Sequence, residues 1–176
     1  MKHLFLFLTL LLGIYDQVYA TKNNYNFQYI TLKEGLSHAD ANTIIKDNKG
    51  FLWIGTYSGL NRFDGIHIKS YYNNLEGAER PNANRILDMD ISDDGIIWIG
   101  SAYGIYSFDT NTETFTNYQA KDNLNNKAIW KIIIQTQYIY LQDKNNKIHL
   151  YKIDKKQHQL IPINHEINHK PIQTIH

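Results

Sequence analysis

The stretch Gly50-Phe51-Leu52-Trp53-Ile54-Gly55-Thr56 returns as Gly95-Ile96-Ile97-Trp98-Ile99-Gly100-Ser101. The echo continues, with Gly59-Leu60-Asn61-Arg62-Phe63-Asp64 answered by Gly104-Ile105-Tyr106-Ser107-Phe108-Asp109. Every shared anchor is displaced by the same interval, about 45 residues, a signature of stacked repeats. Short aromatic strands bounded by glycines at that period predict an all-β fold, a β-propeller of four-stranded blades. Because a closed propeller of this period needs about 300 residues, an incomplete ring is expected, with about three blades plus flanking strands.

In the first unit the predicted strands cover 41–46, 51–56, 60–64 and 66–71; in the second, 86–91, 96–101, 104–108 and 115–118. Gly50 and Gly95 close the first hairpin of each unit, where a tight turn asks for positive φ. In strand two, Phe51 and Trp53 point to one face while Leu52 and Ile54 point to the other. All four are apolar, so both faces are expected to be buried between neighbouring blades. A third unit lacks the signature glycines: Ala128 to Ile132, Tyr138 to Leu141 and Ile148 to Ile153 follow the second at about 43 residues. Asn168 to Ile175 tracks Asn125 to Ile132 as the opening of a fourth unit. Upstream, Tyr25 to Leu32 reads as a lone strand, the outer strand of a closing blade. The expected division is 1–20 signal peptide, 21–35 lone outer strand and lead-in, 36–79 blade one, 80–124 blade two, 125–167 blade three and 168–176 the start of blade four.

The leader rests on Lys2 and His3, the apolar run Leu4 to Leu12, and Val18-Tyr19-Ala20 before Thr21. That run is too short to span a bilayer, so a cleaved secretory signal is expected. With no cysteine in the sequence, disulfides and thiolate metal sites are excluded. The formal net charge is +1 and the charges are scattered, which gives no basic stripe for nucleic acid.

Glu34-Gly35-Leu36-Ser37, then Ile44-Ile45-Lys46-Asp47, the first tryptophan strand and Gly59 to Gly65 together resemble the opening of the two-component regulator propeller. That propeller is the periplasmic sensor region of hybrid two-component histidine kinases. The resemblance spans nearly the whole mature chain and is strongest over residues 25–118. Family members join a signal peptide, one or two seven-bladed propellers, a β-sandwich, a transmembrane helix, and kinase, receiver and DNA-binding modules, and they typically sense oligosaccharides. The resemblance implies an N-terminal sensor fragment in the periplasm, whose parent is a histidine kinase anchored in the inner membrane. It further implies an oligosaccharide ligand and a homodimer in the intact receptor, no cofactor, no nucleic-acid contact by this chain, and membrane contact only through missing C-terminal parts. No phosphate-binding glycine box, receiver aspartate pocket or helix-turn-helix pattern appears in the sequence, so no kinase activity is expected of this chain.

Other constellations read as structure. His165-Glu166-Ile167-Asn168-His169 satisfies the H-E-x-x-H spacing, but zinc chemistry needs it on a helix, and Pro162 and Pro171 bracket it. Continued through Pro171, the stretch carries one residue too many for a histidine-kinase phosphoacceptor box. Asp90 to Gly95 opens like a calcium loop, but Ser101 stands where a bidentate glutamate is required. Asp64 and Asp109 read as turn formers. No catalytic residue and no metal site is assigned. Trp53, Trp98, Phe63 and Phe108, with Gly50, Gly55, Gly59, Gly95, Gly100 and Gly104, form the repeat core. Ligand contacts are expected from less regular positions near strand ends, Tyr57, Arg62, Arg85 and Tyr103.

A ligand-sensing propeller is therefore the leading reading. The alternatives are a fragment of an exported carbohydrate-active enzyme, which needs facing acids in a channel, and a structural interaction scaffold. A three-blade arc leaves two stacking faces and unpaired strand edges exposed. Residues 21–176 expressed alone are expected to self-associate or precipitate. Light scattering over a concentration series checks this, and a monomer with one sharp two-state unfolding transition is the contrary result.

Overall fold

The computed structural model describes residues 27–74, 80–122, 124 and 127–163. The leader, the H-E-x-x-H stretch and the fourth-unit opening lie outside them. Three four-stranded antiparallel blades follow one another. The first holds β1 (Ala41–Lys46), β2 (Leu52–Thr56), β3 (Gly59–Phe63) and β4 (Ile68–Tyr71). A short helix, α1 (Arg80–Asn84), leads into β5 (Ile86–Ile91), β6 (Ile96–Ser101), β7 (Gly104–Asp109) and β8 (Thr114–Ala120). The third holds β9 (Ile129–Gln135), β10 (Tyr138–Asp143), β11 (Ile148–Asp154) and β12 (Gln159–Pro162). No helix among the described residues is long and apolar enough to cross a membrane.

Besides α1, which the sequence reading did not name, two elements differ from it. The lone strand expected over Tyr25 to Leu32 is absent from its described part: residues 27–31 carry no strand, and Leu32–Glu34 forms a 3-10 turn. Local bonds select the turn, since Thr31 Oγ1 accepts from the Lys33 amide while Glu34 accepts from the Thr31 amide at 2.7 Å, a capping box. A strand also needs an edge to pair with, and Phe27 and Tyr29 instead stand 82% and 81% exposed. The other difference is β12, which completes the third blade although the sequence reading named no fourth strand there.

The core lies between blades. Trp53, fully buried, faces the second blade and meets Phe108 at 5.4 Å between ring centroids, with Tyr71 closing the group at 4.9 Å from Phe108. Trp98 occupies the same place one blade on, against Tyr118 at 4.7 Å and the buried Ile129, Ile132, Ile139 and Leu141 of the third blade. Tyr140, paired with Ile133 as Trp98 is with Asp90, stands in the tryptophan position of the third blade. Phe63 is only half-buried because it faces away from the second blade, whereas its counterpart Phe108 faces the first. The expected burial of both strand-two faces holds for Trp53 and Ile54, while Ile44 on the neighbouring β1 is 60% exposed.

Gly50 and Gly95 take φ of +92° and +81° in their hairpins, as expected. Gly55 and Gly100 serve another purpose. A Cβ on Gly55 would lie 2.6 Å from Ile86 Cγ2, and one on Gly100 would lie 2.9 Å from the Ile129 carbonyl oxygen. Each glycine admits the inner strand of the next blade. Carboxylates then tie inner strands together: Asp88 accepts from the Ile132 amide at 3.0 Å and Asp90 from the Ile134 amide at 2.8 Å.

The two seams are closed differently at the rim. Between blades two and three, β8 and β12 pair in parallel, with main-chain bonds from Gln119 to His158 at 3.2 Å and from Lys121 to Leu160 at 3.1 Å. Between blades one and two, the described outer strands are bridged by side chains. Glu113, at φ +55° in the β7–β8 turn, accepts from Arg62 at 2.9 Å, from the Tyr71 hydroxyl at 2.7 Å and from Lys69. Its carboxyl is held below the usual range chiefly by the Lys69 and Tyr71 hydrogen bonds.

Two outcomes follow. Trp53 Nε1 donates to Asp47 Oδ2 at 2.8 Å, and Asp47 Oδ1 accepts the Lys49 and Phe51 amides. In the second unit this position is Ser92, whose hydroxyl donates to Asp94 and Ile96, and Trp98 Nε1 is buried without a partner. Asp47→Ala is expected to cost about 1–3 kcal/mol and Ser92→Asn to add about 1 kcal/mol, read by urea titration at submicromolar protein; an unchanged midpoint for Ser92→Asn is the contrary result. Because Glu113 has a depressed folded pKa, its contribution is present above about pH 4.3 and lost as the pH falls through the lower folded value. The stability gap between the parent chain and Glu113→Gln is expected to close below about pH 4. A gap that persists at lower pH counts against the clamp.

Candidate functional site

One end of the arc carries the β2–β3 and β6–β7 turns and the segments leading into β1 and β5. The repeat fixes both lead-in segments through main-chain bonds: Tyr57 donates its amide to the Asp40 carbonyl at 3.2 Å, and Ala102 donates to the Arg85 carbonyl at 3.0 Å. Asp40 and Arg85 therefore occupy equivalent places with unlike side chains. The capped turn at Thr31 and the left-handed Gly35 deliver Ser37 onto the first blade, where its amide meets Asn61 Oδ1 at 3.0 Å and its hydroxyl meets Thr56 at 2.8 Å. His38 follows immediately and comes against Tyr57, with ring centroids 5.7 Å apart.

Arg85 crosses the first seam to reach the same tyrosine. Its guanidinium carbon lies 4.2 Å from the Tyr57 ring centroid, a cation–π contact. The main chain there is pinned, because the Arg85 amide donates to Pro81 at 3.1 Å at the end of α1. Asn73 and Asn84 exchange two hydrogen bonds, from the Asn73 amide at 2.7 Å and from Asn84 Nδ2 at 3.0 Å, which anchor that helix to the chain leaving β4.

Tyr103 lies in the β6–β7 turn, beside Ala102, and opens on a cleft of about 370 Å³. Asn117, Tyr118 and Gln119 of β8 line it with Leu124 and Leu160. A cleft lined by both aromatic and polar residues suits a neutral polar ligand with an apolar ring face.

Of the four expected ligand residues, Tyr57 and Arg85 are in contact, and Tyr103 shares their end of the arc. Arg62 lies toward the opposite end, over Phe51 at 4.9 Å and bonded to Glu113, so it is part of the seam clamp. His38 and the β8 residues of the cleft escaped the sequence reading. Tyr118 was traceable as the counterpart of Tyr71, but His38 carried no periodic signal.

The acidic turns are occupied. Asp64 Oδ1 accepts the Ile66 and His67 amides at 2.8 and 2.6 Å, which lower its pKa, and Asp109 caps the Asn111 amide at 2.8 Å. In the Asp90 to Gly95 loop, Asp90 Oδ2 accepts from Ile134 and Asp94 accepts from Lys155 at 2.5 Å. Among the described residues no cluster of three or more His, Asp or Glu side chains is placed to hold a metal ion.

Residues 35–58 match the two component regulator propeller family. A histidine kinase, P4, of Formosa agariphila is 42% identical over 59 residues, 34% of this chain and 4% of that protein. The extracellular domain of a hybrid two component system from B. thetaiotaomicron superposes with a TM-score of 0.61 at 22% identity, over 76% of this chain and 19% of that one. A one component system of the same organism gives 0.59 at 23% identity, over 81% and 21%. The chain thus spans a small part of each relative, and the structural likenesses establish the shared fold. Residues 35–58 thus carry one two component regulator propeller repeat, and the blade geometry makes the chain a propeller segment.

Proposed function

We propose that this chain is the ligand-sensing part of a periplasmic propeller in a hybrid two-component sensor, that its ligand is an oligosaccharide, and that it carries no kinase chemistry of its own. The observation that supports this most directly is the cleft beside Tyr103, lined at one end of a seam by the aromatic Tyr103 and Tyr118 and by the polar Asn117 and Gln119. A sugar offers an apolar ring face to the former and hydroxyls to the latter. Transmission would work through differential affinity of the ligand for two arrangements of the receptor. A hydrolase would need two free carboxylates facing one another across the sugar, while Asp64 and Asp109 are engaged in their own turns.

Isothermal titration with neutral oligosaccharides, of the chain held at a concentration where light scattering shows it dispersed, tests the reading. Saturable binding is expected, weakened about tenfold or more by Tyr103→Ala. Absence of heat across the panel, with capture of a protein partner instead, favours the scaffold reading; release of shortened sugars favours the enzyme.

A further inference from the structure

We propose that Arg85 is a seat for an anionic group, a carboxylate or sulfate ester, borne by the saccharide; this rests on the oligosaccharide reading and names the chemistry of its ligand. The repeat uses only the main chain at this position, since the Arg85 carbonyl does what the Asp40 carbonyl does one blade earlier. Its side chain is therefore free to vary. Tyr57 is likewise not repeated: Ala102 stands in its place. The Tyr57–Arg85 pair belongs to the first seam, and features that the repeat does not require are where specificity resides.

Among the described residues no carboxylate forms an ion pair with Arg85. Arg62 and Lys69 are answered by Glu113, Lys131 by Asp88 and Lys155 by Asp94. No carboxylate or carbonyl among the described residues accepts a hydrogen bond from the Arg85 guanidinium. Its Nε is buried without a partner, while the terminal nitrogens are not buried. The nearby Asp40 carboxylate lies 3.7 Å from His38 Nδ1. Stacking on Tyr57, itself backed by His38, holds the planar fork in place. A held, half-desolvated guanidinium with open terminal nitrogens is suited to bidentate recognition of an anionic oxygen pair. Because Ala102 adjoins Tyr103, a saccharide in the cleft that extends over the β6–β7 turn approaches this group.

The test titrates the chain with oligosaccharides of equal length that are neutral, uronate-containing or sulfated, at low ionic strength. At least one acidic class is expected to bind about tenfold or more tightly than the neutral one. Arg85→Gln is expected to remove that margin and Arg85→Lys to restore part of it, while an unchanged urea midpoint shows that each variant folds. An acidic preference that survives Arg85→Gln, or no acidic preference at all, overturns the proposal. A second readout needs no sugar: in chain labelled with ¹⁵N-arginine, inorganic sulfate is expected to shift the Arg85 Nε–H resonance saturably. That shift without binding of any saccharide supports the anion seat and overturns the oligosaccharide reading; neutral binding with no shift does the reverse.

Discussion

The arc depends on one close approach: the inner strand of each following blade lies against a strand-two glycine of the blade before it. At Gly55 and Gly100 even a methyl group would intrude on Ile86 or Ile129. This contact sets the blade spacing, and the adjacent tryptophan fills the wider gap farther along the same strand, where Trp53 and Trp98 are almost completely buried. Small beside large on one strand gives the taper that wedge-shaped packing needs. The third blade has Gln142 in the corresponding place, paired with Lys131, so that position is shaped differently from the two before it.

Given that spacing, inner strands come near enough for Asp88 and Asp90 to take amides of the next blade. These amides lie on the edge of β9, which has no further strand within its own blade, and a carboxylate is a strong acceptor for such groups. At the ends of the strands the repeat loosens its demands. There the main chain keeps the geometry, and unlike side chains at equivalent positions, Asp40 and Arg85 or Tyr57 and Ala102, give each seam its own chemistry.

Much of this was legible because apolar pattern and turn glycines agree along the tryptophan strands; β1, β5 and β6 fall where the sequence places them. The strand predicted from Tyr25 to Leu32 fails over its described residues because alternation marks a strand-competent segment but cannot supply an edge to pair with. β12 was hidden for the opposite reason: Gln159-Leu160-Ile161-Pro162 has little pattern of its own, and part of its pairing is with β8 of the neighbouring blade. Among site residues, strand-end position singled out Tyr57, Arg85 and Tyr103. It did not distinguish them from Arg62, whose partner Glu113 is 51 residues away in a left-handed turn. Contacts across a seam lie beyond the reach of a local pattern.

The unequal seams give the arc unequal compliance. Blades two and three share main-chain bonds at the rim, whereas the first blade is fastened to the second at the described rim by side chains, those gathered on Glu113 and the Asn73–Asn117 pair. Charged side chains on flexible stems stretch and re-form under screening more readily than a paired backbone. By this comparison the first seam is the more compliant of the two described ones, and it is the seam that Tyr57 and Arg85 span. A ligand that bears on both residues therefore loads a joint made of side chains rather than of paired backbone.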